Sequence, residues 1–131
     1  MLLGGKELVK ALRSQVNEVN VDSVNQRLLD NETLLFIDIR EPNETALGYA
    51  NGSECVPRGV LEMQLNGLPQ YLALIKKVES AQKLPIYLIC RSGARSVLAA
   101  ASLQQMGYQN VYSVAGGFLA WQAKGFKVTG E

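Results

Sequence analysis

The sequence predicts an α/β domain with a central, mainly parallel sheet flanked by helices on both faces. Two short apolar runs carry that prediction, Leu34-Leu35-Phe36-Ile37-Asp38-Ile39 and Pro85-Ile86-Tyr87-Leu88-Ile89. Apolar stretches of this length bounded by breakers read as strands buried on both faces, the pattern of parallel sheets. Segments of helical spacing separate these runs from each other and from a third, Val111-Tyr112-Ser113-Val114, and strand–helix alternation implies parallel pairing. With 131 residues, 47% of them hydrophobic, the chain can bury one sizeable core and is not disordered as a whole.

Taken in order, residues 6–16 carry apolar residues at helical spacing and predict an N-terminal helix. Val19-Asn20-Val21 reads as a short strand, and Asp22 or Ser23 can cap a helix through Leu29. The Leu34–Ile39 strand follows and stops at Arg40-Glu41-Pro42-Asn43, where proline and asparagine favour a turn. From Asn51 to Gly67 turn formers dominate and no element is assigned. Pro69 suits a first helical turn, and Leu72, Ile75 and Val78 support a helix from Pro69 to Ser80. After the Pro85–Ile89 strand comes a loop, then a helical segment from Val97 to Met106 with Gly107 placed as a C-cap glycine. Gly116-Gly117 leads from the last strand into a short helix over Phe118 to Lys124, where Trp121 is expected in the core.

Composition excludes several classes of function. A net charge of +1, with both signs mixed along the chain, gives no support for nucleic-acid or membrane binding. No apolar run has transmembrane length, and the first residues lack the apolar stretch of a secretory signal. Two cysteines do not make a disulfide scaffold, so a reducing, cytoplasmic compartment is expected. The chain has no histidine, which excludes Cys-His and Ser-His-Asp mechanisms. A structural zinc site would need four ligands and only Cys55 and Cys90 are available, so no metal and no cofactor is expected.

The chemistry is concentrated in Cys90-Arg91-Ser92-Gly93-Ala94-Arg95-Ser96. Cys90 falls at the carboxyl end of a predicted strand, where ligands bind in parallel α/β sheets. Its loop opens onto a helix N-terminus, whose free N–H groups and dipole favour an anion. Arg91 and Arg95 add positive charge, so the surroundings suit a nucleophilic thiolate better than a core cysteine. Asp38 and Arg40 end the other central strand and can flank the same crevice, either in support of the chemistry or as an ion pair bracing the strand end.

Three segments resemble the rhodanese-like family. Leu35-Phe36-Ile37-Asp38-Ile39-Arg40-Glu41-Pro42 is similar to its Asp-x-Arg-Glu-Pro segment. Ile89 to Ser96 is similar to its active loop, and Gly116-Gly117-Phe118-Leu119-Ala120-Trp121 to its closing Gly-Gly-x-x-Ala-Trp segment. The resemblance runs over residues 19–128, which sets residues 1–18 apart as an N-terminal extension and 19–131 as one rhodanese-like domain.

The resemblance implies a sulfurtransferase that takes sulfane sulfur from a small anionic donor such as thiosulfate and passes it to a small thiol, cyanide or a protein cysteine. Cys90 is then the nucleophile and persulfide carrier. The backbone N–H groups of Arg91, Ser92, Gly93, Ala94, Arg95 and Ser96 cradle the outer sulfur, and Arg95 and Arg91 orient the donor. Four residues separate Cys90 from Arg95, whereas phosphatases with similar loops have five, which favours sulfur over phosphate. A second reading keeps the fold but uses Cys90 as a redox-sensing or partner-docking thiol. The chain departs from the family at Gly48-Tyr49-Ala50-Asn51-Gly52-Ser53, where Gly-His-Ile-Pro-Gly-Ala is frequent, and at Thr45, where an aromatic is usual. Cys55, just beyond, is either a resolving thiol for the Cys90 persulfide or a small packing residue.

Overall fold

The computed structural model describes residues 1–130. In chain order the elements begin with α1 (Gly5–Arg13), β1 (Asn17–Val19), α2 (Val21–Leu29), β2 (Leu35–Asp38), α3 (Pro42–Thr45), β3 (Tyr49–Ala50) and β4 (Glu54–Cys55). They continue with α4 (Leu61–Gln64), α5 (Pro69–Leu74), β5 (Ile86–Ile89), α6 (Ala94–Gln105), β6 (Val111–Val114), α7 (Gly117–Ala123) and β7 (Val128–Thr129). Short 3-10 turns fill the stretches around α4, α5 and the approach to β5.

Five strands form one parallel sheet in the order β1-β6-β5-β2-β4. Every residue of β2 and β5 is buried, which is why both read as unbroken apolar runs. Alternation divides their side chains between two cores. Leu35, Ile37, Ile86 and Leu88 face Val97, Ala100 and Leu103 of α6, together with Leu61, Tyr71 and Val9 of α1. Phe36, Tyr87 and Ile89 face Val21 and Val24 of α2 and Phe118 and Trp121 of α7. Trp121 lies in this second core, its indole N–H donating to the Lys127 carbonyl at 2.9 Å. The parallel α/β architecture with helices on both faces is the expected one. No helix among the described residues is long and apolar enough to cross a membrane.

Several boundaries differ from the sequence-based expectation, each for a local reason. The first strand is Asn17–Val19, and Asn20, not Asp22 or Ser23, caps α2 by accepting the Ser23 N–H at 2.9 Å. The helix expected to reach Ser80 is α-helical only to Leu74 and tightens to 3-10 over Ile75–Lys77. Leu72 is exposed, while Tyr71 is buried and Leu74, Ile75 and Val78 pack half-buried against the core, so of the expected Leu72-Ile75-Val78 row only Leu72 lies off the inner face. The unassigned stretch supplies β4, α4 and their 3-10 turns. Tyr49 and Ala50 pair antiparallel with Thr129 and Val128, a ribbon too short to leave a sequence pattern. The segment that departs from the family sequence is thus tied to the C-terminal strand, and the Thr129 hydroxyl donates to the Asn51 side-chain carbonyl at 2.7 Å.

Candidate active site

Cys90 follows the last residue of β5 and lies on the α6 side of the sheet, 1% exposed. Gly93 gives the loop its turn: its φ is +101°, and an added Cβ would stand 3.3 Å from the Gly116 nitrogen. The turn folds the start of α6 back over the sulfur. Cys90 Sγ accepts the Gly93 N–H at 3.2 Å and the Ser96 N–H at 3.4 Å, and Ser96 Oγ is 3.4 Å away. The Ser96 hydroxyl is paired in turn with the Ser113 hydroxyl of β6 at 2.7 Å, both residues fully buried. A hydroxyl has one proton. When sulfur is anionic, Ser96 turns its proton to Sγ and Ser113 supplies the bond that Ser96 then accepts.

The loop is braced from two directions. From α7, the Phe118 N–H donates to the Cys90 carbonyl at 2.8 Å and the Leu119 N–H to the Arg91 carbonyl at 3.1 Å. That docking is possible because residue 117 is glycine: with φ at +56°, a Cβ would fall 2.5 Å from the Cys90 oxygen and 2.6 Å from the Arg91 oxygen. From α3, Glu44 receives Arg95 with both carboxylate oxygens, at 2.7 and 2.9 Å. Those hydrogen bonds, outweighing partial burial and helped by the Glu41 N–H, hold the Glu44 carboxyl down at about 2. Arg95, expected to orient the donor, is therefore engaged within the protein, whereas Arg91 is exposed and in no ion pair among the described residues.

Glu44 was not visible as a site residue in the sequence, since its partner is 51 positions away. A usable signal was present: Pro42 and Glu44 follow Glu41 as the first turn of a capped helix, and Glu44 Oε1 accepts the Glu41 N–H at 3.0 Å. Replacing it with glutamine removes the charge and half the acceptor geometry. Because the folded carboxyl is depressed from its ordinary value to about 2, its contribution is present above the unfolded pKa and is lost as pH falls through about 2. Both side chains are partly solvated, so after screening Glu44→Gln is expected to cost about 1 kcal/mol at neutral pH. The gap from wild type should close progressively below pH 4.5, as equilibrium urea unfolding across pH would show.

Asp38 and Arg40 form a buried pair, 0% and 5% exposed. Arg40 Nε lies 3.0 Å from both Asp38 oxygens, and Nη2 reaches Oδ2 and the Gly48 carbonyl, each at 2.8 Å. The Arg40 guanidinium stacks 4.1 Å above the Phe118 ring, connecting β2 to α7. This network braces the strand end, and Arg40 shares with Glu44, Arg91, Phe118 and Leu119 the lining of a depression of about 260 Å³ beside the loop.

Cys55 does not join the site. Asp38 is in register with both Cys55 and Ile89, so Cys55 shares the Ile89 face of the sheet and Cys90 the opposite one. Two strand spacings, about 10 Å, also separate them, beyond the roughly 4.4–6.8 Å between Cα atoms that a disulfide spans. Partial burial, with the Asp38 carboxylate nearby, pushes the Cys55 thiol up, away from the thiolate a resolving nucleophile needs. The resolving role is corrected accordingly: this arrangement does not support it.

Comparison with known proteins places the chain in a family. Residues 20–124 match the model of the rhodanese-like domain. A sulfurtransferase of Allochromatium vinosum is 37% identical over 113 residues, 86% of this chain and 94% of the relative. The thiosulfate sulfurtransferase GlpE of Pseudoalteromonas translucida is 34% identical over 73% of this chain and 80% of its own length. Among solved structures, a protein of unknown function and possible tyrosine phosphatase from Rhodopseudomonas palustris superposes with a TM-score of 0.80 at 26% identity, covering 98% of this chain and 96% of that one. With the family model spanning most of its length, and relatives at this identity named as sulfurtransferases, the chain belongs to the rhodanese-like domain family.

Proposed function

We propose that the protein transfers sulfane sulfur from thiosulfate, or a donor of the same anionic kind, through a persulfide on Cys90. The observation that carries this reading is the sulfur's setting: two backbone N–H groups and a hydroxyl converge on Cys90 Sγ at the carboxyl end of a central strand. In the first step the Cys90 thiolate attacks the outer sulfur of thiosulfate. The sulfur–sulfur bond of the donor breaks, sulfite leaves with the electron pair, and a Cys90 persulfide anion remains. In the second step an acceptor such as cyanide or a thiolate attacks the outer sulfur, and Cys90 leaves as thiolate. Neither step needs a general base or an outside oxidant, which fits a chain without histidine.

Preorganised donors stabilise the charge in both states. Gly93 and Ser96 hold Sγ itself, and the remaining N–H groups of the Arg91–Ser96 loop are assigned to the outer sulfur. Arg91, exposed beside the depression, draws the donor in, and Arg95 keeps the loop in shape through Glu44. This differs from a phosphate cradle, in which the loop arginine must face the substrate. Thiocyanate should accordingly form from thiosulfate and cyanide without added metal or cofactor, while p-nitrophenyl phosphate is not hydrolysed. Phosphatase turnover without thiocyanate formation would reverse the assignment.

A further inference from the structure

A larger groove, of about 340 Å³, lies on the other side of Arg95, between α1 and the first turns of α6. Its walls are basic and its floor apolar: Lys6, Lys10 and Arg13 stand above Val9, with Arg95 and Leu98 opposite. Positions 6, 9, 10 and 13 fall on one face of a helix, so α1 turns that face toward α6. Within Gly5–Arg13 the single carboxylate, Glu7, is turned to the helix start, where it accepts the Gly4 N–H. Arg13 pairs with Glu18 and Arg95 with Glu44, but Lys6 and Lys10 are exposed and in no ion pair among the described residues. Leu2 and Leu3, just before the helix, are 96% and 55% exposed. In a chain of net charge +1, so local an excess of cations over an apolar floor is a surface with a definite complement.

The position is as informative as the charge. Arg95 lines this groove and Glu44 lines the depression beside Arg91, so their ion pair is the partition between the two. A segment lying in the groove ends at the wall of the candidate active site. A small anionic donor has no use for an apolar floor, and a groove walled on its two sides by α1 and α6 receives a chain segment more readily than a lipid surface.

We propose that the groove is the docking surface for a protein sulfur acceptor, which lays an acidic segment with apolar side chains along α1 and so brings its thiol to the Cys90 loop. The assignment rests on the sulfur-transfer reading for its purpose, but the docking itself can be measured without transfer. The probe is a fluorescent peptide of alternating glutamate and leucine ending in cysteine, with a lysine-for-glutamate counterpart and anionic phosphatidylglycerol vesicles as the competing ligands. The acidic peptide should bind wild type and Cys90→Ser alike, more weakly as salt rises, and about tenfold more weakly to Lys6→Glu/Lys10→Glu. The same double variant should discharge its sulfur to cyanide at the wild-type rate, since neither lysine touches the loop.

Equal binding to wild type and the double variant would overturn the proposal, as would equal binding of the two peptides. Vesicle binding that exceeds peptide binding and is lost in the double variant would assign the face to a membrane instead. Concentration-dependent dimerisation lost in the same variant would assign it to a second copy of the chain. Peptide that binds as expected while no sulfur loads onto Cys90 leaves the groove standing and refutes the transfer chemistry.

Discussion

Asp38→Ala should lower stability by about 3 kcal/mol, measured by equilibrium denaturation. The loss comes less from the ion pair than from what remains after its removal. Arg40 would keep its place behind Phe118 with one bond to the Gly48 carbonyl and no hydrogen-bonded counter-charge, at a position 5% exposed. A buried, uncompensated guanidinium is costly, whereas an apolar replacement of both partners can be close to neutral. The double variant Asp38→Ala/Arg40→Met should therefore recover much of the stability. Its recovery would place Asp38 and Arg40 in bracing and not in chemistry, particularly if thiocyanate turnover returned with it. A double variant as unstable as the single one would mean that the ion pair itself, and not the stranded charge, holds β2 to α7.

Gly117→Ala should be comparably severe, costing about 3 kcal/mol and lowering the melting temperature by about 10 °C. The methyl group would overlap two carbonyl oxygens of the active loop, at 2.5 and 2.6 Å, and neither can move without releasing the Phe118 and Leu119 N–H bonds. Gly107→Ala is the matching control. Its φ is +103°, but the nearest foreign atom to an added Cβ is the Gln82 amide nitrogen at 3.8 Å, so only the conformational cost of about 1 kcal/mol applies. Sulfur transfer should fall sharply in the first variant and be retained in the second. Equal melting temperatures for the two would show that the loop does not depend on close contact with α7.

How much of this was legible in the sequence depends on whether the interaction was local. Leu34–Ile39 and Pro85–Ile89 announced themselves because a strand buried on both faces cannot hide its composition. The Cys90 loop was legible for a similar reason, with sulfur, glycine turn and helix start all within seven residues. Glu44 and Ser113 were not, since each acquires its meaning from a partner brought in by the sheet, Arg95 in one case and Ser96 in the other. Cys55 shows the sharper limit. Whether it faces Cys90 depends on strand order and on a register in which one residue's shift exchanges the two faces. Residues 1–18 looked like an extension, yet Val9 and Val16 are in the same core as the sheet, and the groove beside α1 exists only because α6 is its other wall.

The persulfide on Cys90 is the central claim, and intact mass measures it most directly. Reduced protein is incubated with thiosulfate and weighed beside Cys90→Ser treated in the same way. The expected result is a gain of one sulfur atom in the wild type, absent from the variant and removed by cyanide. Wild-type protein that gains no sulfur from thiosulfate or polysulfide while Cys90 is still alkylated, or a gain that persists in Cys90→Ser, would contradict it.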